Sequence, residues 1–138
     1  MDFKLDICIP SLNRQSKLIN CLNSLFLACR NLTGINIYLY FSEESERKFF
    51  EELVGFIPEI HCEIYKDYKV PEFWNNHIKG MMERDVDAIL IGNDDVLFFN
   101  DTIEKVIEKF KNDIPDRDGV LGLSQSNLPP ADTLEGAF

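Results

Sequence analysis

The stretch AILIGNDDVLFF, residues 88 to 99, runs five small or apolar residues into Asn93, Asp94 and Asp95, then resumes with Val96, Leu97, Phe98 and Phe99. Two adjacent carboxylates at the end of an apolar run repel each other, and burying them without a partner is costly. A positive group should therefore sit beside them. That group is not expected to be a side chain.

The neighbours of this acid pair follow from the elements that must carry it. DICIPSL reads as a buried strand ended by Pro10, and RQSKLINCLNSLFLAC places Leu18, Cys21, Leu22, Leu25, Phe26 and Cys29 at helical spacing. INIYLYF, 35 to 41, is β-branched and aromatic, hence a strand. SEESERKFFEELVGFI opens with serines and acids, good helix-start chemistry, and carries Phe49, Phe50, Leu53 and Val54 on one face. HCEIY, 61 to 65, is a weaker strand; PEFWNNHIKGMMER is a helix with Pro71 at its first position. AILIG is a strand, and NDTIEKVIEKFKND is a helix with Asp101 and Glu104 at capping-box spacing and a stripe of Ile103, Val106, Ile107 and Phe110. GVLGLSQS, 119 to 126, reads as a fifth short strand. Strands alternating with helices of this length predict an α/β fold: β-α units forming a mostly parallel sheet flanked by helices.

Ligands of open α/β sheets bind outside the carboxyl ends of the strands. Pro10, Ser11, Asn13 and Arg14 follow the first strand; Ser42, Glu43 and Glu44 the second; Lys66, Asp67 and Tyr68 the third; Asn93, Asp94 and Asp95 the fourth. Hard oxygen ligands, hydrogen-bonding groups and one Arg suit a divalent cation with a phosphate-bearing ligand. The chain has no G-x-x-x-x-G-K-[ST] and no G-x-G-x-x-G after its first strand, which argues against P-loop and dinucleotide-binding domains. A receiver-type phosphoacceptor domain would carry acids after its first strand, where this chain has Pro-Ser-Leu-Asn.

Bulk composition narrows the class further. The chain has 138 residues, is 45% hydrophobic and carries a net charge of −10, so it suits one domain with a real core and not a broad phosphate-backbone surface. No nucleic-acid partner and no membrane span are expected. The four cysteines form no C-x-x-C pair, and the N-terminus has no long apolar region. Reduced core cysteines and a cytoplasmic location are the expectation.

At this point a resemblance emerges. DICIPSLNRQSKLINCLNSL resembles the opening of family 2 glycosyltransferases of the GT-A fold, AILIGNDDVLF resembles their D-x-D region, and FWNNHIKGMMERDVDAIL resembles the segment upstream of it. The resemblance covers residues 4 to about 123. It implies a nucleotide-sugar-binding domain over 1–125, the Rossmann-like half of a GT-A fold. Pro10, Ser11, Asn13 and Arg14 would line base and ribose, and Asn76 would face the nucleotide. Asp94 and Asp95 would hold ribose and Mn²⁺ or Mg²⁺, with Asp95 the better match for the metal. Ser42 and Glu43 stand where the family contacts the base. The implied activity is transfer of a sugar from a nucleotide-diphosphate donor, UDP most often, to an acceptor hydroxyl. The tail, 126–138, would begin an acceptor-binding half that supplies the catalytic base, and Glu135 is not assigned to that role. Apolar surface near the terminal GAF would be covered by a homo-oligomer.

Simpler readings stand beside these. The acid pair would serve as a solvated turn. Asn13 and Ser42 would cap helices, and Asn100 and Asp101 would cap the next one. Trp74, His77 and Met81 would pack in the core, and His61 has no metal-ligand spacing to His77. The functional alternatives are a non-catalytic interaction module and another metal-dependent α/β nucleotidyltransferase.

Overall fold

The computed structural model describes residues 3–30, 32–65, 70–116 and 119–123. The chain divides into two compact units, Met1–Glu104 and Lys105–Phe138. The first unit holds β1 (Leu5–Ser11), α1 (Gln15–Cys29), β2 (Ile35–Phe41), α2 (Glu44–Val54), β3 (Ile60–Ile64), α3 (Val70–Arg84) and β4 (Ala88–Ile91). The strands form one four-stranded sheet in the order β3-β2-β1-β4. Every pairing is parallel, as the alternation of strands and helices predicts.

Register explains the burial pattern. Leu5, Ile7, Ile9 and Ser11 pair with Ile35, Ile37, Leu39 and Phe41 and share their face. On that face Phe41 stacks on Phe50 of α2, with ring centroids 5.2 Å apart. The other face carries Tyr38 and Tyr40, half-buried, which meet His77 of α3 edge-on; Tyr40 also meets Phe73. Strand β1 is buried along its whole length, with β2 beside all of it and β4 beside Leu5 to Cys8.

Pro10 lies inside this central strand, where a missing N–H normally costs a ladder bond. Residues of one parity on a parallel strand bond to one neighbour. Leu5 donates towards β2, to Gly34, whereas the Cys8 carbonyl accepts from Gly92, beyond β4. Pro10 shares the parity of Cys8, and the β4 ladder ends at Cys8 and Ile91. Its absent donor therefore faces a place where β4 has already turned away. That divergence opens the crevice between β1 and β4.

Helix ends follow local chemistry. Gly55 closes α2, where any Cβ would meet the Glu51 carbonyl oxygen at 2.2 Å. Asp85 follows α3 in the left-handed region, φ 54°, which Asp tolerates. Arg47 reaches Glu44 and Glu51 along the solvent side of α2.

Helix α4 (Thr102–Asp113) begins at the end of the first unit and runs into the second. Its residues Ile103, Val106 and Ile107 are buried and Phe110 is half-buried, as the stripe predicts. Within the second unit Lys109 pairs with Asp113, and Ile114 N–H donates to the Phe110 carbonyl. The expected fifth strand is not formed over the part that is described. Residues 119–123 are irregular, and Val120 is 87% exposed. A short apolar run becomes a strand only where a neighbour accepts its backbone bonds, and periodicity does not supply that neighbour. Residues 124–126, the tail from 126 and Glu135 lie outside the described residues, as do Lys66, Asp67 and Tyr68.

Among the described residues all four cysteines are free thiols. Burial pushes Cys8 and Cys21 up to about 12, and Cys29 and Cys62 up to about 11, with nearby carboxylates adding to the rise at Cys8, Cys21 and Cys62. Cys8 and Cys21 lie in the core, and Cys29 and Cys62 are half-buried. No helix among the described residues is long and apolar enough to cross a membrane.

Candidate functional site

The sheet order reverses between β1 and β4: β1 leads outward through β2 to β3, and the chain then returns to β4. In such sheets the crevice beyond the carboxyl ends at this switch point is the ligand site. Ser11 ends β1 there, and Gly92 to Asp95 follow β4 there.

The two segments are tied together at Asp94. This residue is 2% exposed. Its Oδ2 accepts from Ser11 Oγ at 3.0 Å and from Arg14 Nε at 3.1 Å. Arg14 Nη2 also pairs with Oδ1. Asp95 is on the outer side, about half exposed, with its carboxylate 3.8 Å from Arg14 Nη2. A side chain, Arg14, thus stands beside both acids, where the sequence reading looked for a positive group other than a side chain. Arg14 comes from a loop 80 residues away, which no local pattern around the acids can announce. Cys21 of α1 completes the floor, its thiol 3.7 Å from the Asn93 carbonyl.

Asn13 adopts φ 51°, the left-handed region that Asn tolerates. It does not cap α1. The N-cap position belongs to Arg14, and no side-chain cap bond forms there. Instead the Asn13 N–H donates to both carboxylate oxygens of Glu46, at 3.0 and 3.1 Å. Glu46 is 4% exposed and lies in the first turn of α2. Sequence reasoning passed over it in favour of Ser42, Glu43 and Glu44. The missed signal was its place one and two turns before Phe50 and Val54, the buried positions of α2. A charge on the buried stripe of a helix needs a partner.

The other expected residues fall differently. Glu43 is exposed at the N-cap of α2 and makes no side-chain cap bond. Ser42 does not cap either; its Oγ is buried and has no hydrogen-bond partner among the described residues. Asn76 lies on the α3 face, where its amide donates to the Tyr65 hydroxyl at 2.8 Å. It lines a cleft of about 160 Å³ with Tyr40, Tyr65, Phe73, His77 and Arg84. That volume is below the roughly 300–1,000 Å³ of a ligand pocket, and none of its lining residues belongs to the Asp94 cluster.

His77 is a packed histidine, as expected. It is 7% exposed, and its Nδ1 lies 2.7 Å from the Tyr40 hydroxyl. Burial, and then the Arg84 guanidinium, push its pKa down to about 4. Below the ordinary value of 6.5 the unfolded chain takes up a proton that the folded chain refuses until about pH 4. Folding stability should therefore fall across that window, by on the order of 2–3 kcal/mol from this group. Urea unfolding at stepped pH should show a shallower acid limb for His77→Gln than for the wild type.

A divalent cation can be tested against the donors present. Among the described residues no group of three His, Cys, Asp or Glu side chains is arranged to hold one. Asp94 has its oxygens engaged by Ser11 and Arg14, which leaves Asp95 as the carboxylate that faces solvent. One carboxylate, with diphosphate oxygens and waters, is a donor set that Mg²⁺ accepts. The residues fit a metal that arrives with its ligand.

Comparison with solved structures adds the relation. The fold is shared with S. aureus TarS. The structure of TarS 1-349 in complex with UDP matches at a TM-score of 0.63 and 12% identity, over 98% of this chain and 46% of that one. TarS 1-349 alone matches at 0.60 and 11%, over 79% of this chain and 32% of that one. A further TarS structure matches at 0.59 and 11%, over 79% and 20%. At these identities the likeness is one of fold, and this chain spans less than half the length of the TarS chains. No known family profile matches the sequence. No curated protein matches it either.

Proposed function

We propose that this chain is the nucleotide-binding half of a GT-A glycosyltransferase and takes a nucleotide-diphosphate sugar, with UDP the first choice of nucleotide. The observation that carries the reading is the Ser11–Asp94–Arg14 cluster at the β1/β4 switch point. Support comes from the shared fold, which binds UDP in S. aureus TarS, and from the family 2 resemblance of the sequence. Ser11 and Arg14 hold Asp94 in the crevice, and the half-exposed Arg14 and Asp95 are the groups of this cluster that face a ligand. Asp95 is the residue that would hold Mn²⁺ or Mg²⁺. Such an ion acts as a Lewis acid on the leaving diphosphate. In the whole enzyme an acceptor hydroxyl would attack the anomeric carbon of the sugar.

A second reading is binding without a metal. The half-exposed Arg14 already supplies positive charge beside both carboxylates. Calorimetric titration with UDP and GDP, with and without Mn²⁺, separates the two on the wild type and Asp95→Asn. Binding of UDP that requires Mn²⁺ and is lost in Asp95→Asn supports the metal-assisted reading. Equal binding without Mn²⁺ supports the second. A folded chain that binds neither nucleotide overturns both and leaves an interaction module.

A further inference from the structure

We infer that Glu46 is a positioning residue: its buried carboxylate fixes the Ser11–Arg14 loop in the shape that receives the nucleotide. The inference rests on the proposed nucleotide site and adds to it the device that sets the site's geometry.

Three observations converge. The first is the placement of the carboxylate. Glu46 is the third residue of α2, where a glutamate ordinarily reaches back to the N–H of its own helix cap. Here it reaches across to another segment and takes the Asn13 N–H with both oxygens. The second is burial. A 4% exposed carboxylate is retained at a cost that an apolar residue would avoid, and α2 offsets part of it by placing the charge in its first turn. The third is the loop. Asn13 holds φ 51°, the left-handed region, and the Glu46 carboxylate takes the N–H of that same residue.

The loop is thereby pinned from both neighbours of β1. Asp94, beyond β4, takes the side chains of Ser11 and Arg14. Glu46, beyond β2, takes the main chain of Asn13. Between these anchors Leu12 is half exposed at the tip. A loop fixed before binding spares the ligand the cost of ordering it, which raises affinity without a new contact.

The test is titration with UDP in the presence of Mn²⁺ at 10 °C on the wild type, Glu46→Gln, Glu46→Asp and Glu46→Leu, with Asn13 amide exchange followed by NMR. Gln keeps an acceptor at the same reach, so its affinity should stay within about threefold of the wild type. Leu removes the acceptor, and Asp withdraws it by one methylene. Both should bind about tenfold more weakly, the scale of one charge-assisted hydrogen bond. The Asn13 amide should be protected from exchange in the wild type and Glu46→Gln, and exposed in Glu46→Asp. If Glu46→Leu does not fold, the Asp variant carries the comparison. A merely structural role would lower the melting temperature of the Asp variant and leave its affinity unchanged. That result, or an unprotected Asn13 amide in the wild type, overturns the inference. A wild type that binds no UDP overturns the nucleotide reading and this inference with it.

Discussion

Arg14→Met should cost about 2–3 kcal/mol of folding stability, and Asp94→Asn in the same background should recover part of the loss. Asp94 is 2% exposed, and its partners are Ser11 and Arg14. Removing the guanidinium leaves a carboxylate shut away from water with one hydroxyl to hold it. Breaking a fully buried pair this way costs about 3–5 kcal/mol. The Arg14 side chain is 42% exposed, so screening reduces the figure here. Asp94→Asn alone should cost less, about 1–2 kcal/mol, because the amide keeps an oxygen to accept from Ser11 and Asp95 stays beside the half-exposed Arg14 guanidinium. The double variant should therefore lose at least about 1 kcal/mol less than the sum of the singles. Urea unfolding of the four proteins measures this cycle. Strict additivity would mean that Arg14 and Asp94 do not pair in solution.

Phe50→Ala should be the most damaging single truncation, at about 3–5 kcal/mol. Phe50 is fully buried, stacks on Phe41 at 5.2 Å and meets Phe49 edge-on at 5.1 Å. A loss of that size takes a large share of the roughly 5–15 kcal/mol that holds a domain folded. Phe49, on the same helix but 39% exposed, should cost less than about 1.5 kcal/mol when truncated. The effect should also reach the site. Phe50 seats α2 against the sheet, and Glu46 lies one turn before it. A loosened α2 weakens the hold on Asn13, so any Phe50→Ala protein that remains folded should bind UDP less tightly. Thermal unfolding and UDP titration of the same sample check both consequences.

Much of the fold was legible because its elements carry their own period. The alternation along β2 and the helical spacing along α1 are properties of short segments. Eight elements appear where those periods place them, to within a few residues. Parallel pairing followed from the β-α alternation, since consecutive parallel strands need a crossover. What escaped depends on meetings between distant segments. The 119–126 run has the composition of a strand, but a strand also needs an edge to join. The Arg14–Asp94 pair joins residues 80 apart, and the Glu46–Asn13 bond joins residues 33 apart. Sequence could place Ser11, Arg14, Asp94 and Asp95 at one edge of the sheet. It could not say that Arg14 neutralises the acids, that Asn13 turns left-handed, or that Asn76 lies with Tyr65 on the α3 face.

The central claim is that a nucleotide diphosphate binds at the β1/β4 switch point. An NMR titration of the isotope-labelled chain with UDP and Mg²⁺ tests it most directly, because it reports where binding occurs as well as whether it does. The amides of Ser11 to Arg14 and of Gly92 to Asp95 should shift together with one saturating curve. Shifts confined to Tyr40, Tyr65, Asn76 and His77, around the cleft on the α3 face, would place the ligand elsewhere and contradict the account.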